Sequence, residues 1–376
     1  MIPFTKTSIT EVEKRFIKEA LESNKICGDG KFTQKCTEWF KEKCNINNIL
    51  LTTSCTHSLE LAAILANLKP GDEVLVPSYT FVSTADAILL RGAKPVFIDI
   101  DKKTFNMDPE CIEKNITEKT KAIFPVHYAG VACDMDKIME IAKKHNLIVV
   151  EDAAQGVLAY YKDKLLGTIG DYGCYSFHET KNYVMGEGGA IIVKDNDKFK
   201  MAEIIREKGT NRSQFIRGQV DKYTWHEVGS SYLPSDILAA LLFGQLNRAN
   251  EIMQKRMKVW NYYNENLKEL EENEKLVRPF IPDYAKHNAH MYYIVLPTEK
   301  IRNDLMEKLK EKGISATFHY IPLHTSPLGK KIGCKKGDLP ITEEYAGRLL
   351  RLPLFADMKE EDIKYVVDNI KKYLGN

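Results

Sequence analysis

Apolar residues recur at three- and four-residue spacing near the start of the chain, with Ile9, Val12, Phe16, Ala20 and Leu21 on one face. This predicts an amphipathic helix. Thr10 with Glu13 offers a capping box at its start, and CGDG at 27–30 ends it. Short apolar runs then alternate with helical patterns. NILLTTS precedes helix HSLELAAILANL, DEVLVPS precedes helix FVSTADAILLRG, and KPVFIDID opens a polar loop. KAIFPVH precedes helix MDKIMEIAKKHN, and LIVVEDAAQG and GAIIVK follow. Nearly continuous apolar strands separated by helices of about ten residues predict a mostly parallel sheet covered on both faces. The fold class is α/β, and this block is assigned to residues 1–245.

Beyond it the pattern changes. A long helix rich in Asn, Lys, Arg and Tyr is expected over about 245–272, then strand HMYYIVLP, helix RNDLMEKLKEKG, strand SATFHYIPL and a terminal helix KEEDIKYVVDNIKKYL. Residues 246–376 are assigned to a smaller α+β domain, which the first helix of the chain is expected to join.

Composition narrows the function classes. The 376 residues carry 54 basic and 52 acidic side chains, a net charge of +2 that creates no strong field for nucleic acid or an anionic membrane. The 8 cysteines form no CxxC pair or other metal-ligand spacing. They are expected to be reduced thiols of a cytoplasmic protein, since neither a signal peptide nor a membrane-length apolar run is apparent.

Candidate chemistry lies at the predicted carboxyl ends of the strands, where ligands bind in parallel α/β sheets. TTSCTHS, 52–58, places small hydroxyl residues at a helix N-terminus, which suits either a phosphate or plain N-capping by Ser54 or Thr56. Asp152 follows four apolar residues and Glu151, with Gln155 three positions on. Such an acid needs a cationic partner, whether a neighbouring arginine or the protonated nitrogen of a ring. Lys181 comes next, five residues after Ser176 and just before GEGG at 186–189. It is either a solvated surface lysine or a desolvated amine able to bond a carbonyl. Together, an anion site, a buried acid and a glycine-flanked lysine meet the needs of pyridoxal 5′-phosphate.

The chain resembles the DegT/DnrJ/EryC1/StrS sugar aminotransferases over nearly its whole length. The matching phrases include GDGKFTQKCTEWF, PVHYAGVACDMD, VVEDAAQG, GCYSFHETKN, GEGGA and HYIPLH. The resemblance implies the fold type I architecture of aspartate aminotransferase and homodimers with shared active sites. It also implies that Lys181 carries pyridoxal 5′-phosphate and shuttles a proton, that Asp152 pairs with the ring nitrogen, and that Gln155 contacts the ring hydroxyl. Phe81 takes the place of the stacking aromatic. Cys55, Thr56 and Ser176 form the phosphate cup, and Ser231 stands where an Asn of the partner subunit usually reaches the phosphate. Two departures are Ser54-Cys55-Thr56 for the usual Asn-Gly-Thr, and Gly229-Ser230-Ser231-Tyr232-Leu233 for the usual Gly-Tyr-Asn-Tyr-Arg.

SFHETKN, REKGTNRSQFIRGQVDKYTW and VGSSYLPSDILAA are similar to the branch active in enterobacterial common antigen synthesis. That branch transfers the amino group of L-glutamate to C4 of dTDP-4-dehydro-6-deoxyglucose, giving the galacto product. Arg212 and Arg217, with Lys222, Tyr223 and Trp225, are then expected to meet the diphosphate, although a solvated basic turn would read the same way. His319, Tyr320 and His324 are candidates for the sugar or base, or simply members of a turn. His127 and His178 either line the site or are satisfied core residues. Amination at C3, or gluco product stereochemistry, would fit the same residues. A nicotinamide-dependent sugar oxidoreductase is disfavoured because TTSCTHS stands where GxGxxG would follow the first strand. The remaining alternative is a protein that binds the cofactor without turnover.

Overall fold

The computed structural model describes residues 1–375; Asn376, the last residue of the 246–376 assignment, lies outside the described residues. The apolar runs form one seven-stranded sheet: β1 (Ile49–Thr52), β2 (Glu73–Pro77), β3 (Lys94–Ile98), β4 (Thr120–Ile123), β5 (Ile148–Asp152), β6 (Tyr172–Ser176) and β7 (Gly189–Val193), in the spatial order β1-β7-β6-β5-β4-β2-β3. Strands β3, β2, β4, β5 and β6 run parallel, and β7 is inserted antiparallel between β6 and β1. β1, β6 and β7 are buried along their whole length, as expected of strands covered on both faces. The α/β expectation holds.

The first helix, Glu11–Glu22, has its capping box: the Thr10 hydroxyl accepts from the Val12 N–H, and Glu13 accepts from the Thr10 N–H at 2.8 Å. Its buried stripe differs from the one the apolar positions suggested. Ile9 and Leu21 are exposed, whereas Glu13 is buried beside Ala20. The Glu13 carboxylate accepts from Arg248 Nη1 at 2.7 Å and Gln245 Nε2 at 2.8 Å, which joins this helix to helix Asp236–Asn247. Desolvation would raise the Glu13 pKa, but hydrogen bonds from Thr10 and Arg248 bring it below its ordinary value.

CGDG does not end the first helix, which stops at Glu22. It leads into a second helix, Lys31–Cys44, that the pattern reading passed over although it buries Phe32, Cys36 and Phe40 at four-residue spacing. Asp236 caps it from a distance, accepting from the N–H groups of Phe32 and Thr33. A side chain at Gly30 would collide with that carboxylate, its Cβ lying 2.5 Å from Asp236 Cγ.

The helix expected over about 245–272 is instead three helices, Asp236–Asn247, Ala249–Asn266 and Lys268–Glu272, broken at Arg248 and Leu267. A second apolar core joins Val259 and Tyr263 to Leu305, Leu350, Val366 and Ile370. It is built on an antiparallel pair, Tyr292–Val295 with Leu349–Leu352. The strand expected at SATFHYIPL does not form. Thr317 alone bridges to Arg351, and the following residues leave the sheet so that the His319 and Tyr320 rings stack at 3.6 Å. The first helix does not join this core as expected; Ile2, ahead of it, packs there and pairs with Ile314.

Replacing Glu13 by Ala removes the acceptor shared by Arg248 Nη1, Gln245 Nε2 and the Thr10 N–H, while Glu251 still pairs with the Arg248 guanidinium. It should cost about 1–3 kcal/mol in urea unfolding, whereas Glu11→Ala, on the exposed face, should stay within about 0.5 kcal/mol.

Candidate active site

Two adjacent acids at the end of β5 face opposite sides of the sheet. Glu151 is fully buried and accepts from His127 Nε2 at 2.9 Å and from the N–H groups of Gly167, Ile169 and Gly170. His127 Nδ1 in turn accepts from the Cys133 N–H, so the ring is satisfied on both nitrogens. His127 is thus a core histidine and no part of the cavity lining. Asp152 points the other way, accepting from Thr84 Oγ1 at 2.7 Å and from the Ala154 N–H at 3.1 Å.

β1 turns at Ser54 into helix Cys55–Leu65, and Ser54 spends its hydroxyl on the His57 N–H. The first N–H groups of that helix, with Thr56 and Ser83 (hydroxyls 2.7 Å apart), form one end of a cavity of about 740 Å³. β7 passes close behind: a Cβ on Gly189 would lie 2.5 Å from Cys55 N. Gly186 holds a left-handed conformation (φ 85°), closing the loop that carries Lys181 back onto β7.

Asp152, Gln155, Cys55, Thr56, Phe81, Ser176, His178, Lys181, His319 and Tyr320 all line this cavity. The sequence-predicted anion site, acid and lysine therefore converge. Gln155 accepts from the Ala129 N–H at 2.7 Å and donates to Tyr320 Oη at 3.0 Å. Ala129 adopts φ 59°, a strained conformation for a non-glycine residue. Phe81 is 56% exposed, an aromatic face open to the cavity, and Ser176 ends β6 opposite Gly189. Desolvation lowers the Lys181 pKa, the Arg351 charge adds to that effect, and Asp152 opposes it. Desolvation, with Asp152 nearby, raises the Cys55 thiol well above its ordinary value and keeps it protonated.

Several expected residues are elsewhere. His324 is fully buried, hydrogen-bonded to Ser78 Oγ at 2.7 Å and Glu343 at 3.0 Å, and is spent on the structure. Arg217 forks onto Glu203 at 2.7 and 2.9 Å, Arg212 lies 3.7 Å from Glu207, and Tyr223 packs on Phe215. None of these lines the cavity of its own chain. Ser231 is exposed and bridged to Glu207, also outside it.

The pattern reading missed Arg256, His290 and Arg351, which complete the lining from the second core. Asn182, next to Lys181, donates to the Asn288 carbonyl at 2.7 Å and so turns its Oδ1 to His290 Nδ1 at 3.0 Å. His290 therefore carries its proton on Nδ1. The signal was present in HNAHMYY, but two histidines ahead of a strand point to no particular chemistry.

A lysine, a buried acid and a helix N-terminus sharing one cavity define an aminotransferase-type site. The chain belongs to the DegT/DnrJ/EryC1/StrS aminotransferase family, which it matches over residues 7–371. It is 37% identical to the uncharacterized protein MJ1066 of Methanocaldococcus jannaschii, covering 100% of this chain and 98% of that one. It is 32% identical to GDP-perosamine synthase of Escherichia coli O157:H7, covering 100% and 99%. Among solved structures, the aminotransferase TlmJ of Streptoalloteichus hindustanus superposes with a TM-score of 0.91 at 28% identity, covering 100% and 99%. Spr1654 of Streptococcus pneumoniae, solved in PMP, apo and PLP forms, superposes in its PMP form with a TM-score of 0.93 at 26% identity, covering 100% and 99%. The architecture is that of the PLP-dependent sugar aminotransferases, whose cofactor is pyridoxal 5′-phosphate. This cavity fits that cofactor: free N–H groups and hydroxyls for a phosphate, an ionisable acid for a ring nitrogen, an open aromatic face and a desolvated amine.

Burial lowers the pKa of His287 to about 4, and burial together with the Lys181 and Arg351 charges keeps His290 and His319 neutral. The unfolded chain takes up these protons below about pH 6.5 while the folded chain does not. These three histidines should therefore add no pH dependence above that pH and should lower stability below it. Between pH 7.5 and 5.5 the wild type should lose about 1.4 kcal/mol more than His287→Gln in urea titrations.

Proposed function

We propose that this sugar aminotransferase transfers the amino group of L-glutamate to C4 of dTDP-4-dehydro-6-deoxy-D-glucose, giving dTDP-4-amino-4,6-dideoxy-D-galactose and 2-oxoglutarate. The observation that carries the transaminase chemistry is a single cavity holding the desolvated Lys181 amine and the Asp152 carboxylate. When bound, pyridoxal 5′-phosphate supplies a carbonyl that accepts the amino group and an electron sink for the carbanion formed at the donor's α-carbon.

The remaining work falls to the chain. Lys181 would hold the cofactor, and its free amine would take a proton from the donor's α-carbon at Nζ. Its lowered pKa keeps a fraction of this amine neutral and so basic. Asp152, oriented by Thr84 and the Ala154 N–H, would accept a hydrogen bond from the ring nitrogen and favour its protonated state. Gln155 would meet the ring hydroxyl, Cys55, Thr56 and Ser176 would hold the phosphate, and Phe81 would cover the ring. Tyr320 and His319, stacked on each other, form a flat wall suited to the sugar. Ser231, Arg212, Arg217 and Tyr223 lie outside this cavity; in a homodimer with shared sites they serve the partner's cavity.

The dTDP-linked substrate is supported by the SFHETKN, REKGTNRSQFIRGQVDKYTW and VGSSYLPSDILAA phrases. A GDP-linked 4-keto sugar is the second reading, favoured by two relatives named GDP-perosamine synthase, each 32% identical to this chain.

Lys181→Ala should lower turnover by at least about 10³-fold and abolish the absorbance of lysine-bound cofactor. Asp152→Asn should lower turnover by on the order of 10²–10³ while the cofactor is retained. The substrate test offers purified protein, glutamate and either dTDP-4-keto-6-deoxyglucose or its GDP-mannose counterpart, followed by product NMR. An amine at C4 of the dTDP sugar in the galacto configuration is expected. An amine at C3, the gluco configuration, or exclusive use of the GDP sugar would replace the proposed substrate or product.

A further inference from the structure

Lys181 Nζ makes no hydrogen bond among the described residues. The nearby acid is already engaged, since Asp152 accepts from Thr84 and the Ala154 N–H. A lysine amine without a fixed acceptor turns freely about its last bond, and its lone pair has no set direction. His290 stands half-buried on the wall of the same cavity. Asn182 donates to the Asn288 carbonyl at 2.7 Å, so its Oδ1 receives the His290 Nδ1–H at 3.0 Å and Nε2 keeps a lone pair. No described residue donates to that nitrogen. The charges around the ring are cations. Burial lowers the His290 pKa most, and the Lys181 charge adds to this ahead of those of Arg256 and Arg351. Arg256 gives Nε and Nη2 to the carbonyls of Ala289 and His290. Arg351 lies 4.5 Å over the Phe4 ring, and no carboxylate pairs with it among the described residues. The ring therefore stays neutral and available as an acceptor.

We infer that His290 Nε2 accepts a hydrogen bond from the free Lys181 amine and so aims that amine at the donor's α-carbon. This rests on the transaminase reading above. Asn182 sets the register, because it adjoins Lys181 in the chain and orients the His290 ring through its own side chain. With one N–H held by Nε2, rotation about the Cε–Nζ bond stops and the Nζ lone pair points away from the imidazole. Once Nζ takes up the proton it becomes an ammonium, and the same Nε2 then meets a charged donor. The hydrogen bond thus strengthens as charge develops on the lysine. No proton passes on to His290, since Nδ1 already carries one and the surrounding cations oppose a second. His290 is a positioning residue. It acts through Lys181 and touches neither substrate.

Two measurements on the full-length protein test this. The first reads the amine with cofactor and substrate removed: trace acetic anhydride labels Lys181 across a range of pH, and mass spectrometry quantifies its peptide. The other groups that bear on the Lys181 charge are Cys55, Asp152 and Arg351, and all are kept in the variants. His290→Phe withdraws the acceptor that favours the ammonium, so the labelling midpoint should fall by about one pH unit. His290→Gln, whose Oε1 reaches the place of Nε2, should stay within about half a unit of the wild type. The second measurement follows the glutamate half-reaction by cofactor absorbance. His290→Phe should slow it on the order of 10–10² at saturating glutamate, and His290→Gln should recover most of that rate. The half-saturating glutamate concentration should change by less than about threefold. Equal melting temperatures exclude misfolding, and if His290→Phe melts lower, His290→Ala is measured in its place. A labelling midpoint that does not move, or a half-saturating concentration that rises while the saturated rate stays, overturns the inference. A wild type whose labelling depends on His290 as stated, but whose cofactor band does not respond to glutamate, overturns the transaminase reading alone.

Discussion

The geometry of the site depends on a carboxylate that never meets it. Glu151 draws the N–H groups of Gly167, Ile169 and Gly170 and the His127 ring around itself inside the sheet. A buried carboxylate is tolerable only when its oxygens are fully bonded. This saturation fixes β5 rotationally. Because side chains alternate along a strand, fixing Glu151 on one face leaves Asp152 no direction but the cavity. Thr84 and the Ala154 N–H then set the plane of its carboxylate.

Around that fixed acid, three separate stretches contribute one group each. The turn at Ser54 supplies helix N–H groups, the loop after β6 supplies the lysine, and the strand at Leu349–Leu352 supplies a guanidinium. Their approach is limited by space as much as by attraction. β7 can pass the turn because Gly189 carries no side chain, and the loop turns back because Gly186 accepts a left-handed conformation. Asn182 ties the lysine loop to the Asn288 carbonyl and to His290, just ahead of the strand Tyr292–Val295.

Six strands of the central sheet were legible in the sequence because buried strands are written as apolar runs, whereas β6, with its YGCYS mixture, and the strand Leu349–Leu352 were not read. The family phrases placed Lys181 and Asp152 near the strand ends. Elements whose burial is not apolar escaped. The stripe of the first helix turns on Glu13, which no hydrophobic count selects, and helix Lys31–Cys44 takes its cap from Asp236, more than two hundred residues away. His324 and His127 read like candidate chemistry because a histidine looks the same whether its partners are substrate or core. Only contacts distant in sequence, with Ser78, Glu343 and Glu151, assign them to the core. Arg351 was passed over for the opposite reason: a lone arginine in RLPL gives no sign that its neighbours lack acids.

Phe4 lies against Arg351, and its carbonyl accepts from the Leu354 N–H, while Ile2 pairs with Ile314. The wall behind the guanidinium is therefore stitched from both ends of the described chain. During synthesis this compartment would be the last to close, because its first panel waits unfastened until the final strand has emerged. Loosening either terminus would therefore slacken this wall of the cavity, while the central sheet and the acid it presents are held by contacts of their own.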